Sequence, residues 1–364
     1  MGIIRFLLAI SVVIAHSSSV GGFSLVGGKI AVQAFYMISG FYMTLILNEK
    51  YIGRNNSYRL FISNRLLRLY PIYWTVLIVT LFLSIGVFIF SSGQSLGSLR
   101  PYYTNISIMN IESISFLILS NITMFFQDTV MFLGLDTASG GLYFTENFRQ
   151  TNPQLRDFLF VPQAWTIGIE ITFYLLAPFI VRKKISFIIL LVLVSALLRV
   201  LLYKNGLKHD PWTYRFFPTE LLFFLLGTIA YHVYKKLEHQ NLKKSYLKII
   251  YGIILIFTLS YSFFSIPYKI YFYFLIFFFS LPFVFILSKK WGKDRYVGEL
   301  SYPIYISHIL VLMIVDHLKI SIIGGVGLVT IILTILFSVL LNEFIAKRVE
   351  IIRQNRMKPA ANTL

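Results

Sequence analysis

Arg5 and His16 lie inside the first apolar stretch, IIRFLLAISVVIAH. At 100° per residue, eleven steps return to nearly the same helix face, roughly 16 Å further along the axis. Ionisable groups at membrane depth are costly and mark functional sites by default. Arg5 near the inner end reads as a residue whose long stem reaches the cytoplasmic surface. His16 is either a satisfied interior polar group or a general base, because an imidazole suits proton removal from a hydroxyl near neutral pH.

Four further constellations carry polar chemistry into apolar surroundings. In NRLLRLYPIYW, Arg65 and Arg68 stand three apart on one helix face, and Pro71 marks a bend or a helix start. They read either as a stop-transfer cluster or as guanidinium forks for phosphate. In QAWTIGIEITFYLLAP, Glu170 follows Trp165 by five residues inside an apolar run. A buried carboxylate needs a partner or a proton, so Glu170 is expected to orient or charge-tune His16, or to hold Arg5. In GELSYPIYISHIL, Ser301 and His308 are seven apart with Tyr305 between them, forming an interhelical hydrogen-bond patch or a catalytic face. In AFYMISGFYMTLIL, Ser39-Gly40 permits close helix approach, and Ser39 is a cavity-lining candidate. His209, His232 and His239 fall in loops or at span ends and read as interfacial residues.

The elements that position these groups must be membrane helices. The mean hydropathy is +0.74, and 57% of residues are hydrophobic against 13% charged. Apolar runs near 3–20, 29–47, 70–91, 113–133, 163–181, 185–203, 216–234, 246–264, 269–288, 300–317 and 322–345 approach or reach the length that crosses a bilayer. The alternating ten-residue segments of a β-barrel are not seen. A net charge of +18 does not imply nucleic acid, because the basic residues fall between apolar runs as the positive-inside pattern requires. Without cysteine there is no thiolate nucleophile or disulfide, and six histidines with no HExxH spacing argue against a metal. Ser17, Ser18 and Ser19 mimic a signal-peptide boundary, but the apolar region ends in His16 without a small-x-small site, so the segment is expected to be retained.

Twenty-two of the 33 basic residues sit in five segments. These are loop 48–68 (Lys50, Arg54, Arg59, Arg65, Arg68), Arg182–Lys184, a loop with Lys235, Lys236, Lys243, Lys244 and Lys248, a loop with Lys289, Lys290, Lys293 and Arg295, and a tail with Lys347, Arg348, Arg353, Arg356 and Lys358. All are expected to be cytoplasmic. Loop 48–68 and the 182–184 triplet share a side only if 113–133 does not cross as a simple span. Asn121, Thr123 and Gln127 weaken it as a lipid-facing helix, so it is expected to be re-entrant or to lie on the outer surface. The expectation is an all-α polytopic protein of about ten transmembrane helices with both termini cytoplasmic. Residues 1–350 form a single membrane domain, 351–364 a basic cytoplasmic tail, and 92–162 the one large external segment, with turns at Gly140-Gly141 and Pro153. No internal repeat is apparent.

Together these residues resemble the integral-membrane acyltransferase-3 family over nearly the whole chain. The opening Arg-x10-His motif stands as Arg5 and His16. The Phe-Phe-x-x-Ser-Gly-Phe-like motif stands as Phe35-Tyr36-Met37-Ile38-Ser39-Gly40-Phe41, and Arg-x-x-Arg as Arg65 and Arg68. The Trp-Ser-Leu-x-x-Glu-x-x-Phe-Tyr motif stands as Trp165-Thr166-Ile167-Gly168-Ile169-Glu170 with Phe173-Tyr174, and the late motif as Ser301, Tyr302, Tyr305 and His308. Thr166 and Tyr36 are mild departures. The resemblance implies acyl transfer from a cytoplasmic acyl-CoA, commonly acetyl-CoA, to a hydroxyl of a surface carbohydrate or lipid-linked oligosaccharide. It implies Arg65, Arg68 and Arg5 at the donor and His16 as base, with no metal. It further implies a bacterial inner-membrane enzyme among lipids, of the stand-alone type, because the chain ends soon after its last span. Transfer is expected to be direct, with an acyl-enzyme on Ser39, Ser301 or a tyrosine as the alternative. The rivals are a transporter or flippase for a sugar-lipid intermediate, a different membrane acyltransferase in which His308 alone is catalytic, and a non-enzymatic scaffold.

Overall fold

The computed structural model describes residues 1–91, 97–320 and 325–357. Lys358, in the expected tail, and 92–96, in the expected external segment, lie outside the described residues. The helices are α1 (Gly2–His16), α2 (Gly28–Glu49), α3 (Tyr58–Phe90), α4 (Arg100–Asn105), α5 (Ile111–Thr123), α6 (Trp165–Ile180) and α7 (Ile185–Lys204). They continue with α8 (Phe217–Leu237), α9 (Lys244–Ser260), α10 (Lys269–Ser288), α11 (Gly292–Glu299), α12 (Ser301–His317), α13 (Gly325–Leu341) and α14 (Lys347–Asn355). One short antiparallel pair, β1 (Leu133–Leu135) and β2 (Leu142–Phe144), registers Leu133 opposite Phe144.

Among the described residues, eight helices are long and apolar enough to cross a membrane: α2, α3, α6 with the turn before it, α7, α9 with the turn after it, α10, α11–α12 and α13–α14. The protein is an all-α, multi-pass membrane protein. Two of the ten expected spans differ from these eight. In α8, 21 residues long, Glu220, His232, Lys235 and Lys236 dilute the apolar character. In α1, 15 residues span only about 22 Å, short of a 30 Å hydrocarbon core. Its buried residues, from Ile4 and Leu8 through Ile14, point in every direction round the axis, which makes α1 an interior helix wrapped by others. The lipid-facing extreme is α7, whose apolar window is 11% buried against 89% for α2.

The chain divides into two compact units. The first comprises residues 1–69, 174–194 and 221–364. Its core packs Ala9, Ile10, Val13 and Ile14 of α1 against Leu25, Leu300 and Ile304. Asp294 on α11 caps α1 by accepting from the Gly2 and Ile3 amides at 2.7 and 2.9 Å, satisfying donors that a helix start leaves orphaned. The backbones meet closely here: a Cβ on Gly298 would lie 2.6 Å from the Gly2 Cα. Across the same unit, α2 and α8 touch through glycines. A Cβ on Gly40 would lie 1.9 Å from the Phe224 carbonyl oxygen, and one on Gly227 would lie 1.9 Å from that of Met37. The close approach expected of Ser39-Gly40 is therefore present, with Gly227 as its counterpart.

The second unit comprises 70–173 and 195–220. It explains why 113–133 does not cross as a span. Only α5, 13 residues, is helical there, and its last carbonyls are taken by aromatic donors of α3. Tyr73 donates to Asn121, Tyr70 to Thr123, and the Trp74 indole to Ile122 at 2.9 Å. Asn121 donates to the Phe158 carbonyl at 3.0 Å and accepts from the Phe160 amide at 2.9 Å, so the residue that weakened the run as a lipid-facing helix fastens it to protein. Intramembrane charge is also neutralised locally, since Arg199 on α7 pairs at 2.6 Å with Glu220, whose side chain is fully buried.

Two sequence expectations are narrowed. Pro71 does not start a helix, because α3 begins at Tyr58 and runs through it for 33 residues, so of the two readings the bend remains. The basic loops are also shorter than expected. Arg59, Arg65 and Arg68 ride on α3, Lys235 and Lys236 end α8, Lys244 and Lys248 begin α9, and Lys293 and Arg295 lie on α11. Lys347, Arg348 and Arg353 lie on α14. Charged residues with long stems continue a helix beyond its apolar part at little cost.

Candidate active site

The first unit brings together two histidines that are 292 residues apart in sequence. His308 Nε2 lies 3.3 Å from His16 Nδ1, and the ring centroids are 5.0 Å apart. Carbonyl oxygens only accept, which fixes the protons by the hydrogen-bond network. His308 Nδ1 lies 2.6 Å from the Tyr305 carbonyl, so that nitrogen carries the proton and Nε2 is an acceptor. His16 Nδ1 lies 2.9 Å from the Val12 carbonyl, so it also carries a proton, shared between that carbonyl and His308 Nε2. The basic nitrogen of His16 is then Nε2. His308 is fully buried, whereas His16 is exposed at the end of α1. A buried histidine that fixes the tautomer of an accessible one is the arrangement a general base needs. The second ring adds to the sequence reading: His16 and His308 are hydrogen-bonding neighbours.

Other members of the late motif hold this pair in place. Ser301, at the start of α12, is buried and its hydroxyl donates to the Gly298 carbonyl at 2.7 Å. Tyr302 donates to the Leu69 carbonyl at 2.8 Å, tying α12 to the turn of α3 that carries Arg68. Tyr305 packs edge-on against Phe35 at 6.4 Å. At the far end of α1, Ser18 accepts from the Gly327 amide at 2.9 Å and fixes the exit of the helix on α13. Ser39 is buried on α2 at 8% exposure.

The cationic residues gather toward the other end of α1. A Cβ on Gly298 would lie 3.6 Å from an Arg5 terminal nitrogen, which places that guanidinium beside the α11–α12 junction. Arg5 and Arg68 both lie within electrostatic range of the Tyr42 phenol on α2. Arg65, only 5% exposed, neighbours Arg68, Tyr51 and Tyr174, and its Nε has no hydrogen-bond partner. Desolvated guanidiniums beside one another require a counter-anion. Base and cation cluster are thus separated along α1, as the eleven-residue spacing requires.

In the second unit, Trp165 opens α6 beneath the Arg215 guanidinium, 4.1 Å from the ring centroid, and meets Tyr214 edge-on at 4.8 Å. Arg215 is oriented by Asp210, with its Nε donating at 2.7 Å. Glu170 lies one turn further along α6 and is half-buried. Sequence reasoning gave no role to Asp128, yet Gly168 of the same motif lies against it: a Cβ there would be 2.9 Å from Asp128 Oδ1. Burial raises the Asp128 carboxyl from 3.8 to about 6. The folded protein therefore holds a proton that the unfolded chain releases between about pH 4 and 6. Stability is greatest below the unfolded value and declines as pH rises through about 6. Asp128→Asn flattens that decline, read as unfolding midpoint against pH in detergent; an unchanged slope would place the titration elsewhere.

No curated protein and no solved structure matches this chain. A family described as an acyltransferase domain, Acyl_transf_3, matches residues 1–343, which include the histidine pair, the arginines of α1 and α3, and the motifs of α2, α6 and α12. The chain belongs to the acyltransferase-3 family of membrane acyltransferases.

Proposed function

We propose that this protein moves an acyl group, most simply acetyl from acetyl-CoA, to a hydroxyl of a cell-surface carbohydrate. O-antigen, capsule, exopolysaccharide and lipo-oligosaccharide are the acceptor classes, and the bacterial inner membrane with both termini cytoplasmic is the setting. The observation that carries the reading is the His16–His308 pair, whose proton arrangement makes Nε2 the basic nitrogen of the exposed His16. His16 Nε2 takes the acceptor hydroxyl proton as that oxygen bonds to the thioester carbonyl carbon. The carbon–sulfur bond then breaks, and the leaving thiolate takes the proton back from His16. His308 holds the imidazolium through His16 Nδ1. Arg65, Arg68 and Arg5 suit the phosphates of a CoA, since guanidinium forks bind phosphate in paired hydrogen bonds. Separation of these cations from His16 along α1 matches a donor that enters phosphate-end first and delivers its thioester at the end of a long arm. Ester-linked acetate on surface glycan, measured by NMR and by base-labile release from cells lacking the gene and from complemented cells, tests the reading. Restored acetate supports it; glycans identical with and without the protein contradict it.

A further inference from the structure

The family-matched residues end at 343, within a π-helical turn, Asn342–Ala346, through which the chain continues into α14. Such turns re-aim a helix and concentrate at functional sites. Here α14 is laid onto the start of α3. Arg356 donates to Asn64 Oδ1 at 3.1 Å and to Ser63 Oγ at 2.9 Å, and Asn55 donates to the Met357 carbonyl at 3.1 Å. Ser63 and Asn64 immediately precede Arg65.

This docking brings Arg353 to the cation cluster. Its side chain is 12% exposed, and one terminal nitrogen pairs with Glu350 Oε2 at 2.5 Å. Its Nε, like that of Arg65, is buried without a hydrogen-bond partner. Arg65 and Arg68 lie within electrostatic range of both Arg353 and Glu350. Three guanidiniums therefore share one part-buried region with Lys50 close by, and Glu350 is a carboxylate within electrostatic range of all of them. Glu350 is itself divided, since it also accepts from Gln354 at 3.0 Å. A single carboxylate does not neutralise three cations, one of them buried and two part-buried, and two orphaned Nε donors remain for an incoming acceptor. A phosphate ester, with several acceptor oxygens and more than one negative charge, meets both requirements.

We propose that α14 supplies Arg353 as a third guanidinium of the site formed by Arg65 and Arg68, so that a phosphate-bearing donor is gripped by a segment outside the family-matched residues. Glu350 acts as a resident counter-charge that the donor's phosphate displaces from Arg353. The inference rests on the donor reading above, in which the ligand is an acyl-CoA.

Titration of CoA into the full-length protein in phosphatidylcholine nanodiscs tests it, with Arg353→Gln and Glu350→Gln as the paired variants. Arg353→Gln is expected to weaken CoA about 10-fold or more and to raise the acyl-CoA KM more than it lowers kcat. Glu350→Gln removes the competing charge and is expected to bind CoA as tightly as the parent or more tightly. Equal losses in both variants would mean the ion pair only holds α14 in place, and the proposal fails. CoA binding unchanged by Arg353→Gln overturns the proposal while leaving the donor reading intact. A parent protein that does not bind CoA overturns the donor reading, and this inference with it. Repeating the titration in phosphatidylglycerol nanodiscs separates the phosphate sources. An Arg353 effect seen only as lipid-dependent stabilisation, with CoA binding untouched, assigns the residue to a lipid headgroup and contradicts the proposal.

Discussion

His16→Ala is expected to lower acyl transfer by about 10²–10⁴-fold, the usual contribution of a positioned general base. The loss falls on kcat, with donor KM nearly unchanged, because the cation cluster is separated from His16 along α1. His308→Ala is expected to cost less. It removes one hydrogen bond to His16 Nδ1 but leaves the Val12 carbonyl in place, which corresponds to about 3–10-fold. His308→Gln retains an acceptor for His16 and a donor for the Tyr305 carbonyl and recovers part of that loss. The readout that separates positioning from packing is the pH–rate profile. Changing the partner of His16 moves its limb, whereas loss of packing lowers the whole curve. Equal, complete loss in both alanine variants, with an unmoved pH limb in His308→Gln, would make His308 structural only.

The largest effect on folding is expected at the α2–α8 crossing. Gly40→Ala places a methyl 1.9 Å from the Phe224 carbonyl oxygen, and Gly227→Ala places one 1.9 Å from that of Met37. Both neighbours are backbone, so neither side chain rotation nor rotamer exchange relieves the clash. Thr44 on α2 donates to Thr228 on α8 at 3.0 Å, and this bond breaks if the helices part. Either substitution is expected to cost about 3 kcal/mol or more, at the upper end of overpacking. The control is Gly252→Ala on α9, where a Cβ meets nothing within 4 Å. There the gain in helix propensity leaves stability equal or slightly higher. Unfolding midpoints in detergent measure all three; a Gly40→Ala protein as stable as the control would refute the close crossing.

Much of the site is legible in sequence because its residues are polar intrusions into apolar runs. Arg5, His16, Arg65, Arg68 and His308 of the first unit stand out on that ground alone, as does Glu170 in the second, and helical periodicity separates Arg5 from His16 along α1. The failures have physical causes. Pairing of His16 with His308 joins opposite ends of the chain, and no local spacing encodes it. Arg353 sits in a basic tail whose charge reads as topology, and only the docking of Arg356 on Ser63 and Asn64 reveals where it goes. Asp294 lies among Lys293 and Arg295 and reads as a loop residue, although its role is to cap a helix that begins almost three hundred residues earlier. Arg199 and Glu220 are visible as intramembrane charges but belong to separate runs, so their neutralisation appears only once α7 and α8 are packed. Pro71 reads as a bend or a start because both are common for proline, and only the helix begun at Tyr58 removes the second reading.

The most direct test of the central claim, that His16 drives direct transfer from donor to acceptor, is a single-turnover reaction. Purified protein with radiolabelled acetyl-CoA and a surface oligosaccharide is quenched, and label is counted on the glycan and on denatured protein. The account predicts label passing to the glycan with none retained on the protein, and neither transfer nor trapping in His16→Ala. Label that first accumulates on the parent protein and then chases to glycan, or transfer by His16→Ala at the parent rate, would contradict it.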